Sequence, residues 1–261
     1  MSQHALDEDR TIYPSKCRCD RESDRQRLLE AMKTMNTEPR TLKGAVAGDD
    51  DPALYTAEPF EVIHLTGPSS LTARGLRAVN GDSIRSATFM GIESLDDEAV
   101  RVIASWPKLE ELRLNGCDGV TSAGVATLAR SRSLRRLDLA WSYAVGDDAL
   151  PPLEKLSLSH LDLTSCNITG TGVETIARFT HLEWLVLPIF AEIGDDAIER
   201  LSTTASPIRT LVYGGDVTPR SLQALAKLPA LREIGLGGRD RSYPDEAYAE
   251  AVPRGATLTF L

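Results

Sequence analysis

The spacing L-x-x-L-x-L recurs along this chain and constrains its fold more than any other feature. It occurs as Leu109–Leu112–Leu114, Leu134–Leu137–Leu139, Leu158–Leu161–Leu163 and Leu182–Leu185–Leu187. Relaxed copies are Phe60–Ile63–Leu65, Ile84–Ala87–Phe89, Ile208–Leu211–Tyr213 and Leu231–Ile234–Leu236. The starts at 60, 84, 109, 134, 158, 182, 208 and 231 lie 23 to 26 residues apart. Eight copies at so narrow a period are not a chance pattern, and a period of 20–50 residues marks a repeat architecture.

Each copy has two halves. The first is a short apolar alternation, which reads as a strand. The second has helical spacing, as in Ala99–Val102–Ile103, Val125–Leu128–Ala129 and Val173–Ile176–Ala177. Asp96–Asp97, Asp147–Asp148 and Asp195–Asp196 each precede a helix, where carboxylates satisfy orphan N–H groups and face the positive helix end. A strand and a helix of this size cannot bury their apolar faces alone. Stacking on neighbours buries them, and the predicted fold is an α/β solenoid of about eight strand–helix repeats.

These copies resemble the leucine-rich repeat family. LEELRLNGCDGVTSAGVATLA and LSHLDLTSCNITGTGVETIA are similar to its cysteine-containing, ribonuclease-inhibitor-like subclass, with Cys117 and Cys166 at the cysteine position. At that position other copies carry Pro68, Ile92, Ser142, Phe190, Asp216 and Arg239, so a regular cysteine ladder is not expected. The resemblance spans about Phe60 to Leu236. It implies a horseshoe whose parallel strands line a concave face, and a role as a protein-interaction scaffold.

The ends do not repeat. Residues 1–56 form an N-terminal segment in which Ser23-Asp24 and RQRLLEAMKTM read as one capped helix, placed over the first repeat or against a partner. Thr41 to Leu54 reads as a linker or loop. Repeats occupy 57–243. In the C-terminal cap, 244–261, a last helix from Pro244 and a final strand over Ala256 to Leu261 are expected.

Composition narrows the function. The net charge of −9 argues against generic nucleic-acid binding. No run of 18 apolar residues exists, so no membrane span is expected. MSQHALDEDR lacks the apolar region of a secretory signal, and four cysteines without one indicate a reduced, cytoplasmic protein. Lysine supplies 6 of the 29 basic residues, an arginine bias associated with GC-rich bacterial genomes.

Catalytic and cofactor motifs are missing: no phosphate-binding loop, H-E-x-x-H or G-x-S-x-G is present. Gly170-Thr171-Gly172 lacks the third glycine of a dinucleotide site. Cys17-x-Cys19 lacks metal spacing and reads as an exposed reduced pair. Cys117 and Cys166 read as buried turn packing. Asp49, Asp50 and Asp51 lack the rest of a calcium loop and read as a solvated acidic loop. No metal, cofactor or catalytic residue is assigned. His160 and Asp162 share one strand face beside Ser159, which makes a triad conceivable without an oxyanion hole to complete it. A polar contact for a partner, or a solvated histidine, is the competing reading.

The concave face is the expected site. Its third-position lane includes Glu111, Arg136, His160 and Trp184; its fifth includes Arg113, Asp138, Asp162, Val186 and Val212; its eighth includes Trp141, Ser165 and Ile189. Trp184, Val186, Ile189 and Val212, with Trp141 at the rim, form an apolar patch of the kind that marks interaction sites, unless a neighbouring loop covers Trp184. Arg113, Arg135 and Arg136 form a basic cluster, either open to a carboxylate or phosphate or paired with Glu110, Glu111 and Asp138. The sequence thus predicts a monomeric, non-catalytic protein-binding module, a bacterial adaptor or neutralising protein. The alternatives are a ubiquitin-ligase substrate adaptor or its mimic, and an enzyme at His160 and Asp162.

Overall fold

A computed structural model describes residues 41–261 except 45–47, 52, 53, 55–59, 68, 190, 192, 238 and 239. The helix expected after Ser23 and the Cys17–Cys19 pair lie outside the described residues. One parallel sheet of ten strands runs in chain order: β1 (Thr41–Gly44), β2 (Val62–Thr66), β3 (Ser86–Met90), β4 (Glu111–Asn115), β5 (Arg136–Asp138), β6 (His160–Asp162), β7 (Trp184–Val186), β8 (Thr210–Tyr213), β9 (Glu233–Leu236) and β10 (Thr257–Phe260). Among the described residues eight short helices alternate with them: α1 (Ala73–Ala78), α2 (Asp97–Ile103), α3 (Ser122–Ala126), α4 (Leu150–Leu153), α5 (Gly170–Ile176), α6 (Asp195–Leu201), α7 (Pro219–Leu225) and α8 (Asp245–Glu250). This is a leucine-rich-repeat solenoid. The expected last helix and final strand are present as α8 and β10. The stretch read as a linker contains β1, which pairs with β2 from Thr41↔Val62 to Gly44↔Leu65, so the sheet starts one strand before the first recognised copy.

The leucines at positions 1, 4 and 6 of each copy are buried and form one continuous core with the inner faces of the helices. Leu109, Leu112 and Leu114, and their counterparts Leu182, Leu185 and Leu187, are fully shielded. Burying such a side chain contributes roughly 1.5–3 kcal/mol, and here only the adjacent repeats can supply the cover.

The aspartates at the helix starts do more than cap. Asp96 caps α2 by accepting from the Ala99 amide at 2.9 Å. Asp97 instead reaches into the next repeat: its two carboxylate oxygens accept from the Thr121 amide (2.8 Å) and hydroxyl (2.7 Å). Asp147 holds Thr169 and Asp195 holds Thr218 in the same way. Each threonine in turn caps its own helix through Oγ1 at 3.2 Å. A Cβ on Gly124 would stand 2.2 Å from Asp97 Oδ1, so a bare position leaves room for the carboxylate. Aspartates at 49, 97, 147 and 195 and threonines at 72, 121, 169 and 218 therefore join the repeats two by two, with a period of 48 to 50 residues.

Asp49 belongs to this series and corrects its reading as part of a solvated loop. It accepts from the Thr72 amide (2.7 Å) and hydroxyl (2.6 Å) and from the Gly75 amide (3.0 Å). Asp50 is exposed and pairs with Arg74 at 2.9 Å. Burial opposes the charged form of Asp49, but the Thr72 and Gly75 hydrogen bonds and the Arg74 charge outweigh it and hold its carboxyl below the usual value of 3.8. A depressed pKa stabilises the fold at neutral pH, and that contribution is lost as pH falls below 3.8.

Removing one clamp leaves half-buried donors unmet. Asp147→Ala is expected to cost about 1–3 kcal/mol in urea unfolding. Thr169→Val, which also deletes a helix cap, is expected to cost about as much. A double-mutant cycle is expected to show the two losses to be largely one and the same. Additive losses would mean that the two residues do not act as a pair.

Candidate functional site

Register fixes the face. Glu111, Arg136, His160, Trp184 and Thr210 lie in one row across β4 to β8, and Arg113, Asp138, Asp162, Val186 and Val212 in the next. Because positions 4 and 6 face the helices, these third and fifth positions stand on the opposite, open face. The rows are those the sequence predicts. Their exposure is not.

Val186 and Val212 are each 7% exposed, so these two members of the expected apolar patch are covered, whereas Trp184 and Ile189 are half-buried and Trp141 is exposed. Strands lie about 4.8 Å apart, and short side chains between longer neighbours lose their water. Val212 packs against bare Gly235, which Leu261 also approaches; Ile189, half-buried, packs over Gly237. Asp162 is 1% exposed and turns back on its own chain, Oδ1 accepting from the Thr164 amide (2.9 Å) and hydroxyl (2.6 Å). It is not a surface a partner reaches. Asp138 makes a related turn, accepting from the Ala140 amide and from Asn115 Nδ2, both at 3.0 Å.

What remains open is a band of aromatic and charged groups. The His160 ring stacks on Trp184 with centroids 6.0 Å apart and planes 25° apart, both half-buried. Arg113 pairs with Glu111 on its own strand, and Arg85, just before β3, pairs with Glu110, just before β4. Arg136 is half-buried beside them. Arg135 departs from the expected ion pairing and donates to the Arg132 and Leu134 carbonyls.

Trp141 is the clearest functional signal. The eighth position of the repeat turns left-handed: Gly67, Gly91, Gly116 and Gly215 all have positive φ there. Trp141 adopts φ 65° in the same place, and Ser165 φ 59°. A left-handed L-residue costs roughly 1–2 kcal/mol. The ring bought at that cost stays 44% exposed. It meets Tyr143, 61% exposed, edge-on at 6.5 Å. The sequence reading missed Tyr143; the signal for it was an aromatic two residues after Trp141 in the same turn. Met90 is a further exposed apolar side chain, on β3.

In the Ser159–His160–Asp162 arrangement the Asp162 carboxylate is buried and its Oδ1 is engaged by its own chain. Ser159 Oγ lies 2.9 Å from His160 Nδ1, but Asp162 spends Oδ1 on Thr164. The cysteines are structural. Cys166 Sγ donates to the Leu139 carbonyl at 3.1 Å, and Cys117 Sγ to the Phe89 carbonyl at 3.7 Å. Ser142 fills the same position in the intervening repeat and donates to the Leu114 carbonyl at 3.0 Å. Across these three repeats a hydroxyl replaces the thiol without breaking the hydrogen bonding, while Ile92 offers no such donor one repeat earlier, so the ladder is local. Burial pushes the Cys117 thiol up to about 11 and the Cys166 thiol up to about 12. Among the described residues no cluster of His, Cys, Asp and Glu could hold a metal, and no helix is long and apolar enough to cross a membrane.

The leucine-rich-repeat family model matches residues 107–129 and 154–177. These are the β4–α3 and β6–α5 repeats, which carry both Cys117 or Cys166 and the clamped threonine. No curated protein matches the chain in sequence. Among solved structures, the chain is similar to internalin C2 from Listeria monocytogenes, with 21% identity over 73% of this chain and 76% of that one, TM-score 0.51. It is also similar to the leucine-rich-repeat ectodomain of the plant membrane receptor kinase GASSHO1/SCHENGEN3 from Arabidopsis thaliana, solved in complex with Casparian strip integrity factor 2. There the identity is 18% over 86% of this chain, TM-score 0.51, and the chain spans only 26% of that ectodomain. At these identities the likeness is one of fold.

A raised thiol pKa leaves almost no thiolate at neutral pH, and the thiolate is the reactive form. In a Cys17→Ser/Cys19→Ser variant, Ellman's reagent is expected to label neither Cys117 nor Cys166 at pH 8 in the folded protein, and both after unfolding. Because both pKa values rise on folding, their contribution to stability is full below pH 9.0, the ordinary thiol value. It is lost as pH climbs towards the folded values. Rapid labelling of the folded variant would contradict the burial.

Proposed function

We propose that this leucine-rich-repeat protein is a non-catalytic module that holds another protein against the open face of its sheet. The site centres on Trp141 and Tyr143 at the rim and on the His160–Trp184 stack. Arg113, Arg136, Asp138 and Ile189 surround it with mixed charge and a little apolar surface. The observation that carries this reading is Trp141 itself. A large aromatic stands in a left-handed turn that sister repeats give to glycine, and almost half of it remains in water. Strain kept at an exposed residue is accounted for by a contact made outside the chain. Tryptophan, tyrosine and arginine are the side chains that dominate binding hot spots.

The ectodomain of similar fold is a complex with its factor, which supports partner binding as the use of such a solenoid. The narrower reading is a cytoplasmic bacterial adaptor or neutralising protein. The arginine bias and the balanced charge of the face support it, since a patterned surface selects one partner rather than any basic one.

Affinity capture from lysate of the source cells, comparing wild type with Trp141→Gly and Trp184→Ala, tests the site. A partner held by wild type is expected to be held at least about tenfold more weakly by either variant. Trp141→Ala serves as the folding control: Gly is expected to be about 1 kcal/mol more stable than Ala at position 141, since only glycine relieves the strain. Undiminished capture by both Trp141→Gly and Trp184→Ala would remove the site from this face.

A further inference from the structure

A second feature lies at the other end of β5 from Trp141, in the loops that return from helix to strand. In three of these loops a large apolar side chain sits three residues before the first core residue, Trp106 before Leu109, Phe179 before Leu182 and Leu228 before Leu231, whereas Gly81, Ser131, Lys155 and Ala205 stand there in others. The three large side chains are buried. Before Leu134 the corresponding residue is Ser131. Gly81 is also bare, but there the Trp106 ring fills the space, its Cδ1 2.0 Å from where a Cβ would stand. Over Ser131 the next loop brings Lys155, Leu156 and Ser157 instead of an aromatic ring. Here lies a half-open pocket of about 450 Å³ lined by Ala129, Arg130, Ser131, Arg132, Arg135, Lys155, Leu156 and Ser157, with its four cationic side chains exposed.

The charge of this cavity sets it apart from the rest of the surface. Four of its lining residues are cations and none is an acid, in a chain of net charge −9. Many arginines elsewhere find carboxylates, as Arg74 does on Asp50, Arg178 on Glu154, Arg200 on Glu174 and Arg220 on Asp196 and Glu199, although Arg232 donates to backbone carbonyls as Arg135 does. Among the described residues no carboxylate pairs with Arg130, Arg132, Arg135 or Lys155. Arg135 Nη1 is fixed against the Leu134 carbonyl at 3.0 Å, which holds one guanidinium in place at the wall.

We propose that this cavity binds a small soluble anion carrying two linked phosphate groups. One phosphate monoester carries about −1.5 to −2 at neutral pH, so two balance the four lining cations. The volume falls within the roughly 300–1,000 Å³ of small-ligand pockets. Guanidinium forks match phosphate oxygens two at a time, and Ser157 sits at the wall as a hydroxyl donor. The site is separate from the sheet face and does not rest on the reading of that face.

Calorimetric titration of the full chain with pyrophosphate tests it. Wild type is expected to show one saturable site. Arg132→Ala/Lys155→Ala is expected to weaken it at least tenfold at an unchanged urea midpoint, and Ser131→Leu, which fills the space at the cost of the Leu134 amide's hydrogen bond to Ser131 Oγ, to abolish it. Sulfate is expected to bind at least tenfold more weakly than pyrophosphate. Absence of saturable binding, equal binding by Arg132→Ala/Lys155→Ala, or equal affinity for sulfate would each overturn the assignment. Should Ser131→Leu fail to fold, the double variant decides alone.

Discussion

The structure depends on the inability of one repeat to bury its own leucines. Strands of three to five residues and helices of four to seven present an apolar face with nothing behind it. Only the next repeat can cover it, so every copy must repeat the same inward triplet at the same spacing. That requirement also fixes the register. Once positions 4 and 6 of each strand point inward, positions 3 and 5 are forced into unbroken rows on the other side. The open face is thus a by-product of core packing, and its side chains are free to vary because the core does not use them.

Stacking creates a polar problem that the sequence solves twice. Backbone groups at each turn are buried by the neighbouring repeat and must be paired. At the strand ends, Cys117, Ser142 and Cys166 donate to the carbonyl of the preceding repeat, and a hydroxyl serves as well as a thiol. At the helix starts, Asp49, Asp97, Asp147 and Asp195 hold the following threonine by both its amide and its hydroxyl. The second device operates only in alternate repeats, which makes the repeat pair the structural unit of the solenoid.

The leucine period was legible because hydrophobic spacing is a local property of the chain. The strands, their order and the two outward rows all follow from it. The double period was equally present, as Asp49 to Asp195 and Thr72 to Thr218, but alignment on the leucines hides a pattern that skips every other copy. Burial on the open face was not legible. Whether Val212 is exposed depends on Gly235 and Leu261 in other repeats, and whether Asp162 faces a partner depends on Thr164 drawing its carboxylate back. Trp141 was chosen for its size, whereas the stronger reason is a backbone angle that only the structure displays, although the glycines at 67, 91 and 116 foreshadow it. The pocket at Ser131 was missed for a similar reason: a small residue signals a hole only when other repeats show what can fill it.

Two requirements meet in this chain. The inner side demands sameness from repeat to repeat, and the open side carries the exceptions: a tryptophan where glycine is usual, and an aromatic stack between charged rows. The claim that these exceptions serve a partner is tested most directly by site-specific photo-cross-linking. A benzophenone side chain would be placed at Tyr143 or His160 on the open side and at Glu174 on the outer face of α5. The account predicts that the same partner cross-links from positions 143 and 160 and not from 174. Cross-links from 174 alone would contradict it and move the binding site to the helices.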